Sequence, residues 1–286
     1  METINDPRTM QAWADAERAA GRRIALVPTM GALHAGHLEL VRVARARAQR
    51  VVVSIFVNPI QFNRRDDFER YPRTLEEDAA LCAEAGVDVV YAPVAGDMYP
   101  EGFASAVEVA GPSEPLCGRA RPGHFRGVTT VVTKLFHAVR PDSALFGEKD
   151  WQQLAVIRRM TADLDFGIDI VGVPTVREAD GLALSSRNRL LSPEARAAAR
   201  CVPRALEAAA AAVAAGETAA STIVDRAAVA IAAEPQARLE YAELRDPESL
   251  AEVEELTGPV LLALAVWVGG VRLIDNRLLC SGGTNR

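Results

Sequence analysis

Residues 23–41, RIALVPTMGALHAGHLELV, decide how the rest of the chain is read. Residues 23–27 (RIALV) form an apolar, partly β-branched run closed by Pro28, which predicts a strand ending at the proline. From His37 the period changes. In residues 37–50 (HLELVRVARARAQR), Leu38, Val41, Ala44 and Ala48 share one face and arginines the other, which predicts a helix. Strand, glycine-bearing turn and helix in that order open an α/β unit, with the turn at the carboxyl end of the strand. Gly31 and Gly36 let the backbone approach a ligand closely. His37 opens the helix, where unbonded N–H groups and the helix dipole favour an anion. The spacing from Gly31 to Gly36 is that of a P-loop, but His37 and Leu38 follow in place of Lys and Ser/Thr, so that reading fails. His34 and His37 are thus two imidazoles at one helix start, able to donate to phosphate oxygens without a permanent charge. The competing reading is a glycine turn with two incidental histidines, in a chain that has only four.

Outward from this unit the rhythm repeats. Residues 51–57 (VVVSIFV) read as a strand buried on both faces. Thr74, with Glu77 three residues on, predicts a helix opened by a capping box. Strands are expected at 87–91, 144–146 and 168–173, and helices at 125–139 and 151–163. Such alternation predicts an α/β fold: a Rossmann-like, doubly wound, mostly parallel sheet with right-handed crossovers. Residues 28–37, 58–61 and 147–150 would then share the rim at the carboxyl ends of the strands. After Val176 the character changes. Ser192-Pro193 reads as an N-cap with proline at the first helical position, followed by a long alanine-rich helix through Ala215. A second helix is expected over 219–233 and strands over 239–244, 260–268 and 271–274. We expect residues 1–176 as a nucleotide- and substrate-binding domain and 177–286 as a smaller C-terminal α+β domain that forms a lid, ending in a frayed SGGTNR tail.

Composition narrows the function classes. Of 286 residues, 49% are hydrophobic but only 5% aromatic, so small aliphatic residues supply most of the core. Thirty-two basic against 38 acidic residues give a net charge of −6, which argues against a nucleic-acid partner but not against one small anion held by local cations. The four cysteines form no CxxC pair, so neither a zinc site nor a disulfide framework is expected, and a cytoplasmic setting fits. The N-terminal METINDPRTM has no apolar core of a signal peptide. The apolar run 260–268 is less than half of the ~20 residues a membrane-spanning helix needs. No membrane partner is expected.

Further candidates lie on the same rim. In Gly147-Glu148-Lys149-Asp150, glycine permits close approach, Lys149 offers a compact charge to phosphates and Asp150 can accept from ribose hydroxyls; a solvated charged turn is the alternative. In Leu184-Ser185-Ser186-Arg187-Asn188, two hydroxyls and a guanidinium suit anionic oxygens, or else form a polar turn before Ser192. Gln61 carries an amide suited to hydroxyls and a carboxylate, or to local hydrogen bonds. Arg119, Arg121, His124 and Arg126 form a basic cluster that could guide a carboxylate or stay solvated. Glu77 and Asp78 are conceivable metal ligands, and the metal ligands are left open. His137, on an apolar helix face, reads as structural.

HxGH after the first strand of an α/β sheet resembles the nucleotidyltransferase superfamily related to class I aminoacyl-tRNA synthetases. The wider PTMGALHAGHLELV resembles the pantoate–β-alanine ligase family. The likeness continues through SIFVNPIQF, YPRT, RPGHFRGV, LFGEKDWQQL, VGVPTVREADGLALSSRN, YAELRD and LIDN, in order over nearly the whole chain. It implies an AMP-forming ligase that condenses (R)-pantoate with β-alanine to pantothenate through a pantoyl adenylate, with ATP as cosubstrate and Mg2+. It implies His37, His34, Lys149 and Arg187 as catalytic, and Met30, His34, His37, Gly147, Glu148, Lys149, Asp150, Val176, Leu184, Ser185, Ser186 and Arg187 at ATP. Gln61, Gln153 and Met30 would meet pantoate and β-alanine, and the protein would be a homodimer. Rival readings are an adenylyltransferase that keeps AMP on its product, a tRNA-charging protein, and an inactive nucleotide-binding regulator.

Overall fold

The computed structural model describes residues 1–63 and 65–280, so the SGGTNR tail lies outside the described residues. The chain opens with two elements that periodicity did not signal, β1 (Glu2–Ile4) and α1 (Pro7–Ala19). Asp6 caps α1, its carboxylate accepting from Thr9 N at 2.7 Å, and Pro7 occupies the first helical position.

β2 (Ile24–Thr29), α2 (Ala35–Arg45) and β3 (Arg50–Ile55) follow. The helix stops five residues short of the predicted end. Arg50 is drawn into β3 instead, where its guanidinium meets Glu17 at 2.8 Å and Asp88 at 3.0 Å. Next come α3 (Arg65–Arg70), α4 (Leu75–Glu84), β4 (Val89–Tyr91), α5 (Ala95–Met98), α6 (Cys117–Ala120) and α7 (His124–Val139). β5 (Ser143–Gly147), α8 (Trp151–Asp163) and β6 (Asp169–Val173) complete the unit. The predicted capping box at Thr74 does not form. Thr74 makes no cap, and its hydroxyl donates instead to Asp78 Oδ2 at 3.1 Å, a buried carboxylate that also accepts from the loop after β2.

Among the described residues six strands form one parallel sheet in the order β1-β4-β3-β2-β5-β6. Chain order runs outward one way from β2 to β3 and β4, and the other way from β5 to β6. The switch point is therefore between β2 and β5. Alternate strand residues feed opposite cores: Leu26, Val52 and Phe146 pack with α1, α7 and α8, whereas Ala25, Val53 and Leu145 pack with α2 and α4. Each large aliphatic side chain so buried contributes about 1.5–3 kcal/mol, which is why β-branched runs with no polar face are stable here.

The remaining elements are α9 (Pro193–Ala199), α10 (Cys201–Ala214), α11 (Ala220–Ala232), β7 (Ala237–Arg245), β8 (Val260–Val268) and β9 (Val271–Leu279). Ser192 caps α9, accepting from Ala195 N at 3.2 Å. The single long helix expected here is broken at Arg200. Pro203 lacks the N–H that would bond the Ala199 carbonyl, and its ring crowds that carbonyl. β7, β8 and β9 form an antiparallel sheet in chain order. β9 runs five residues past its predicted end, because the register with β8 continues to Leu279. In β8, Leu262, Leu264 and Val266 face α10 and α11, while Leu261 and Ala263 pack on Leu116, Trp151 and Ala155 of the first unit. No helix among the described residues is long and apolar enough to cross a membrane.

Candidate functional site

The loop after β2 is held by contacts within the protein. Gly31 has φ +82°, and a Cβ there would stand 2.9 Å from Asp78 Oδ2 and 3.2 Å from Ile55 Cγ2. Asp78 accepts from Ala32 N at 2.9 Å and Leu33 N at 2.7 Å. An acid on α4 thus holds two successive loop amides, including that of Ala32 in the left-handed region at φ 51°. Asp78, conceivable from sequence as a metal ligand, acts here as a backbone clamp. Three donors fall on its carboxylate, and Glu77 beside it is exposed.

His34 caps α2, its Nδ1 accepting from Gly36 N at 3.2 Å. His37 reaches back, its Nδ1 accepting from His34 N at 3.3 Å. This is a capping box made of two imidazoles, with ring centroids 4.0 Å apart. Burial, followed by the charges of Lys149 and Arg189, lowers the His34 pKa to about 4; burial, followed by the neighbouring His34, lowers that of His37 to about 3. Both rings are neutral near pH 7. Since each Nδ1 accepts, the proton assigned to each ring lies on Nε2, leaving two N–H donors that the cap does not use.

Across the switch point, β5 ends at Gly147 and residues 148–150 make a 3-10 turn into α8. Lys149 Nζ is 3.7 Å from Asp150 Oδ2, with only 18% of the lysine side chain exposed. The Glu148 side chain turns the other way, its Oε1 3.0 Å from where a Gly172 Cβ would stand, so Glu148 brings main chain to this turn. Gln153 sits in the first turn of α8, facing the cleft.

Gln61 ends a 3-10 turn after β3. Its Oε1 accepts from Asn58 Nδ2 at 2.9 Å and its Nε2 donates to Met30 Sδ at 2.9 Å. Tyr99 OH donates to Asn58 Oδ1 at 2.7 Å, and Asn58 Nδ2 also donates to the Gly127 carbonyl at 3.0 Å. The turn and α7 touch so closely that a Cβ on Gly127 would lie 2.6–2.8 Å from backbone atoms of Ile60 and Gln61. Of the basic cluster, Arg119 pairs with Glu243 and Arg126 with Glu108. His124 Nδ1 lies 2.8 Å from the Gln61 carbonyl, and Arg121 also reaches that oxygen. Burial lowers the His124 pKa to about 4. His137 packs on Phe166, ring centroids 5.6 Å apart.

Ser185 caps a 3-10 turn over Ser186–Leu190, accepting from Arg187 N at 3.3 Å. The approach to it is pinned: Leu184 N donates to the Val176 carbonyl at 2.9 Å, and Arg196 grips Glu178 and Asp180. A cleft of about 1110 Å³ joins the two sheets, lined by Lys149, Asp150, Gln153, Ser185, Ser186 and Arg187 among others. The lining reaches the histidine loop at Ala32 and the Gln61 turn through Arg121 and His124. Sequence reading missed Arg272, Tyr241 and Trp267, which line the far wall from β7–β9. Their one signal was a cluster of polar and aromatic residues in strands of a small sheet. Among the described residues, no three His, Cys, Asp or Glu side chains come together as a metal-holding group.

Fold and site together define an α/β enzyme with donors for an anion on both sides of a parallel sheet's switch point. Similarity to known proteins narrows that class to one family. The chain belongs to the Pantoate-beta-alanine ligase family, whose model matches residues 2–278, and it is a ligase. It is 52% identical to the pantothenate synthetase of Moorella thermoacetica over 279 residues, 98% of this chain and 99% of that protein. It is 54% identical to that of Sphingopyxis alaskensis over 276 residues, 96% and 99% of the two chains. A crystal structure of pantothenate synthetase from Thermus thermophilus superposes with a TM-score of 0.91 at 46% identity, covering 96% of this chain and 98% of that one. A pantoate-beta-alanine ligase from Francisella tularensis, complexed with beta-gamma ATP and beta-alanine, gives 0.79 at 32% identity, covering 96% and 97%.

Proposed function

We propose that the protein condenses pantoate with β-alanine in two steps at this cleft, using ATP. A pantoate carboxylate oxygen attacks the α-phosphorus of ATP and the bond to pyrophosphate breaks, leaving pantoyl adenylate. The β-alanine amine, once deprotonated, then attacks the activated carbonyl, and AMP leaves as pantothenate forms. The observation that carries this reading is the pair of neutral histidines that cap α2 after β2, whose rings feel the charge of Lys149, placed after β5. They would present neutral N–H donors where charge develops on the phosphates, beside the positive charge of Lys149. Arg187, Ser185 and Ser186 would meet the phosphates from the opposite wall, with Asp150 at the ribose, Gly147 and the Glu148 main chain alongside it, and Val176 and Leu184 at the adenine. Gln61, Gln153 and Met30 would hold pantoate. The likeness to the Francisella ligase, whose complex contains an ATP and beta-alanine, supports both substrates.

Mg2+ would enter with ATP, held largely by phosphate oxygens and water. The division into 1–176 and 177–286 is supported by a core that draws only on residues from Leu182 onward, separate from those flanking the parallel sheet. A cytoplasmic homodimer remains our reading of the resemblance. The test is AMP release from ATP, Mg2+ and pantoate, with and without β-alanine. β-alanine-dependent AMP and pantothenate are expected; a stable adenylylated product would point to an adenylyltransferase instead. His37→Ala should lower single-turnover adenylate formation by roughly 10²–10³, and near wild-type adenylation in that variant would remove His37 from the site.

A further inference from the structure

Two adjacent residues of β9 reach both phosphate-facing segments. Asn276 Nδ2 donates to the main-chain carbonyls of Glu148 and Lys149, each at 2.9 Å. Asp275 is 2% exposed and takes both terminal nitrogens of Arg177, at 2.7 and 3.0 Å, in a bidentate pair. Asp275 Oδ1 also accepts from Asn276 N at 2.8 Å, locking the two residues to one another. Arg177 in turn donates to the Gly181 carbonyl at 3.1 Å and bridges Ala183 through its backbone. The hairpin-like run from 176 to 184, which delivers Ser185 and Arg187, is therefore fastened to Asp275. The turn that delivers Lys149 is fastened to Asn276.

A buried amide and a buried carboxylate are destabilising unless fully partnered, and apolar residues would pack the middle of a strand with less penalty. The arrangement is explained if these polar groups serve geometry. With two successive carbonyls held by one amide, the peptide planes of residues 148 and 149 cannot rotate freely, so the direction in which Lys149 leaves the backbone is fixed. Because the two anchors are consecutive residues of one strand, a single peptide unit sets the separation of the lysine turn from the serine–arginine segment.

We propose that Asp275 and Asn276 are positioning residues for the ATP-dependent step, holding the Lys149 turn and the 176–187 segment in register from one strand. This rests on the functional reading above. The Asn276 Nδ2 group and both Asp275 oxygens are taken by protein partners, so they act through Lys149 and Arg187. Asn276→Ala removes the donors, and Asn276→Asp places acceptor oxygens against two carbonyls. Asp275→Asn and Arg177→Gln each break the second anchor.

The experiment measures kcat and both KM values for pantoate-dependent AMP release, ATP affinity by titration, and Tm. Asn276→Ala should lower kcat at least tenfold and Asn276→Asp further, with pantoate KM within twofold and ATP affinity within threefold. Asp275→Asn and Arg177→Gln should show equal losses in kcat that do not add in the double variant. Wild-type kcat in Asn276→Ala overturns the proposal. So does a loss of kcat that merely follows a fall in Tm and in affinity for both substrates. If the wild-type protein itself releases no AMP with pantoate, the functional reading fails and the proposal falls with it. Active wild type with unaffected variants defeats the proposal alone.

Discussion

At the scale of single residues, the site works by burying groups that titrate or flip and then fixing their state. Folding holds the pKa values of His34, His37 and His124 at about 4, 3 and 4, below the ordinary 6.5. As pH falls through 6.5 the unfolded chain takes up these protons and the folded chain does not. The stability that comes from neutral rings is complete above pH about 6.5 and is lost progressively towards pH 4, at about 1.4 kcal/mol per pH unit for each ring held neutral. His124→Gln keeps a donor near the Gln61 carbonyl but removes one titration. Its stability, measured by denaturant titration between pH 7 and 4.5, should fall less steeply than that of the wild type; parallel slopes would refute the assignment. Tyr99 fixes a flip rather than a proton. Burial raises its hydroxyl pKa well above the usual value, so it stays a donor. It therefore claims Asn58 Oδ1, turns Asn58 Nδ2 towards Gln61 Oε1, and leaves the Gln61 NH2 to donate to Met30 Sδ and, in the proposed function, to pantoate. Tyr99→Phe should raise the pantoate KM about three- to tenfold, the worth of one hydrogen bond, with ATP KM unchanged. An unaltered pantoate KM would detach this chain of hydrogen bonds from substrate orientation.

At the scale of elements, positions are set by close contacts that a local pattern does not encode. α7 and the Gln61 turn approach at Gly127, where a methyl group would meet backbone rather than a movable side chain. Gly127→Ala should cost about 1–3 kcal/mol of stability and raise the pantoate KM more than the ATP KM, read from denaturant titration and steady-state kinetics. A neutral effect on both would mean that the contact is soft. The same distinction explains what the sequence made legible. α8 and β8 fall on their expected bounds, because Trp151–Asp163 has one continuous helical period and Val260–Val268 is unbroken by a polar residue. β1 was missed because three residues at a sheet edge carry no period, although Asp6-Pro7 was a readable helix start. The break at Arg200 was also readable, from Pro203. The histidine, lysine and serine–arginine segments were visible because each brings several chemically suited residues within a few positions. The groups that hold them were not: Asp78 acts 45 and 46 residues from its loop amides, Asp275 98 from Arg177 and Asn276 127 and 128 from its carbonyls. Such partnerships are set by the folded topology, and one sequence contains no spacing that announces them.

At the scale of the whole molecule, the two units meet through one apolar cluster and several polar contacts. Leu116, Trp151, Ala155, Leu250, Leu261 and Ala263 form the cluster, and Trp151 Nε1 donates to the Pro247 carbonyl at 2.8 Å. A junction that mixes apolar and polar contacts permits relative movement of the units it joins. The serine–arginine segment, though, is held to its own unit by Arg177–Asp275, Arg196–Asp180 and Asn188–Glu178. Closure on substrates would then be a rigid movement of the C-terminal unit about the β9 anchor, carrying Arg187 with it, rather than the ordering of a loose loop. Excluding water in this way would protect an adenylate that water can hydrolyse. Leu190, which lines the cleft yet is 70% exposed, offers a reporter at the edge of the moving part. Chymotrypsin cleavage after Leu190 should slow several-fold when ATP, Mg2+ and pantoate are present together, and little with pantoate alone. Cleavage at an unchanged rate with the full substrate set would mean that the cleft does not close over this segment, and that the adenylate is shielded by the residues already lining it.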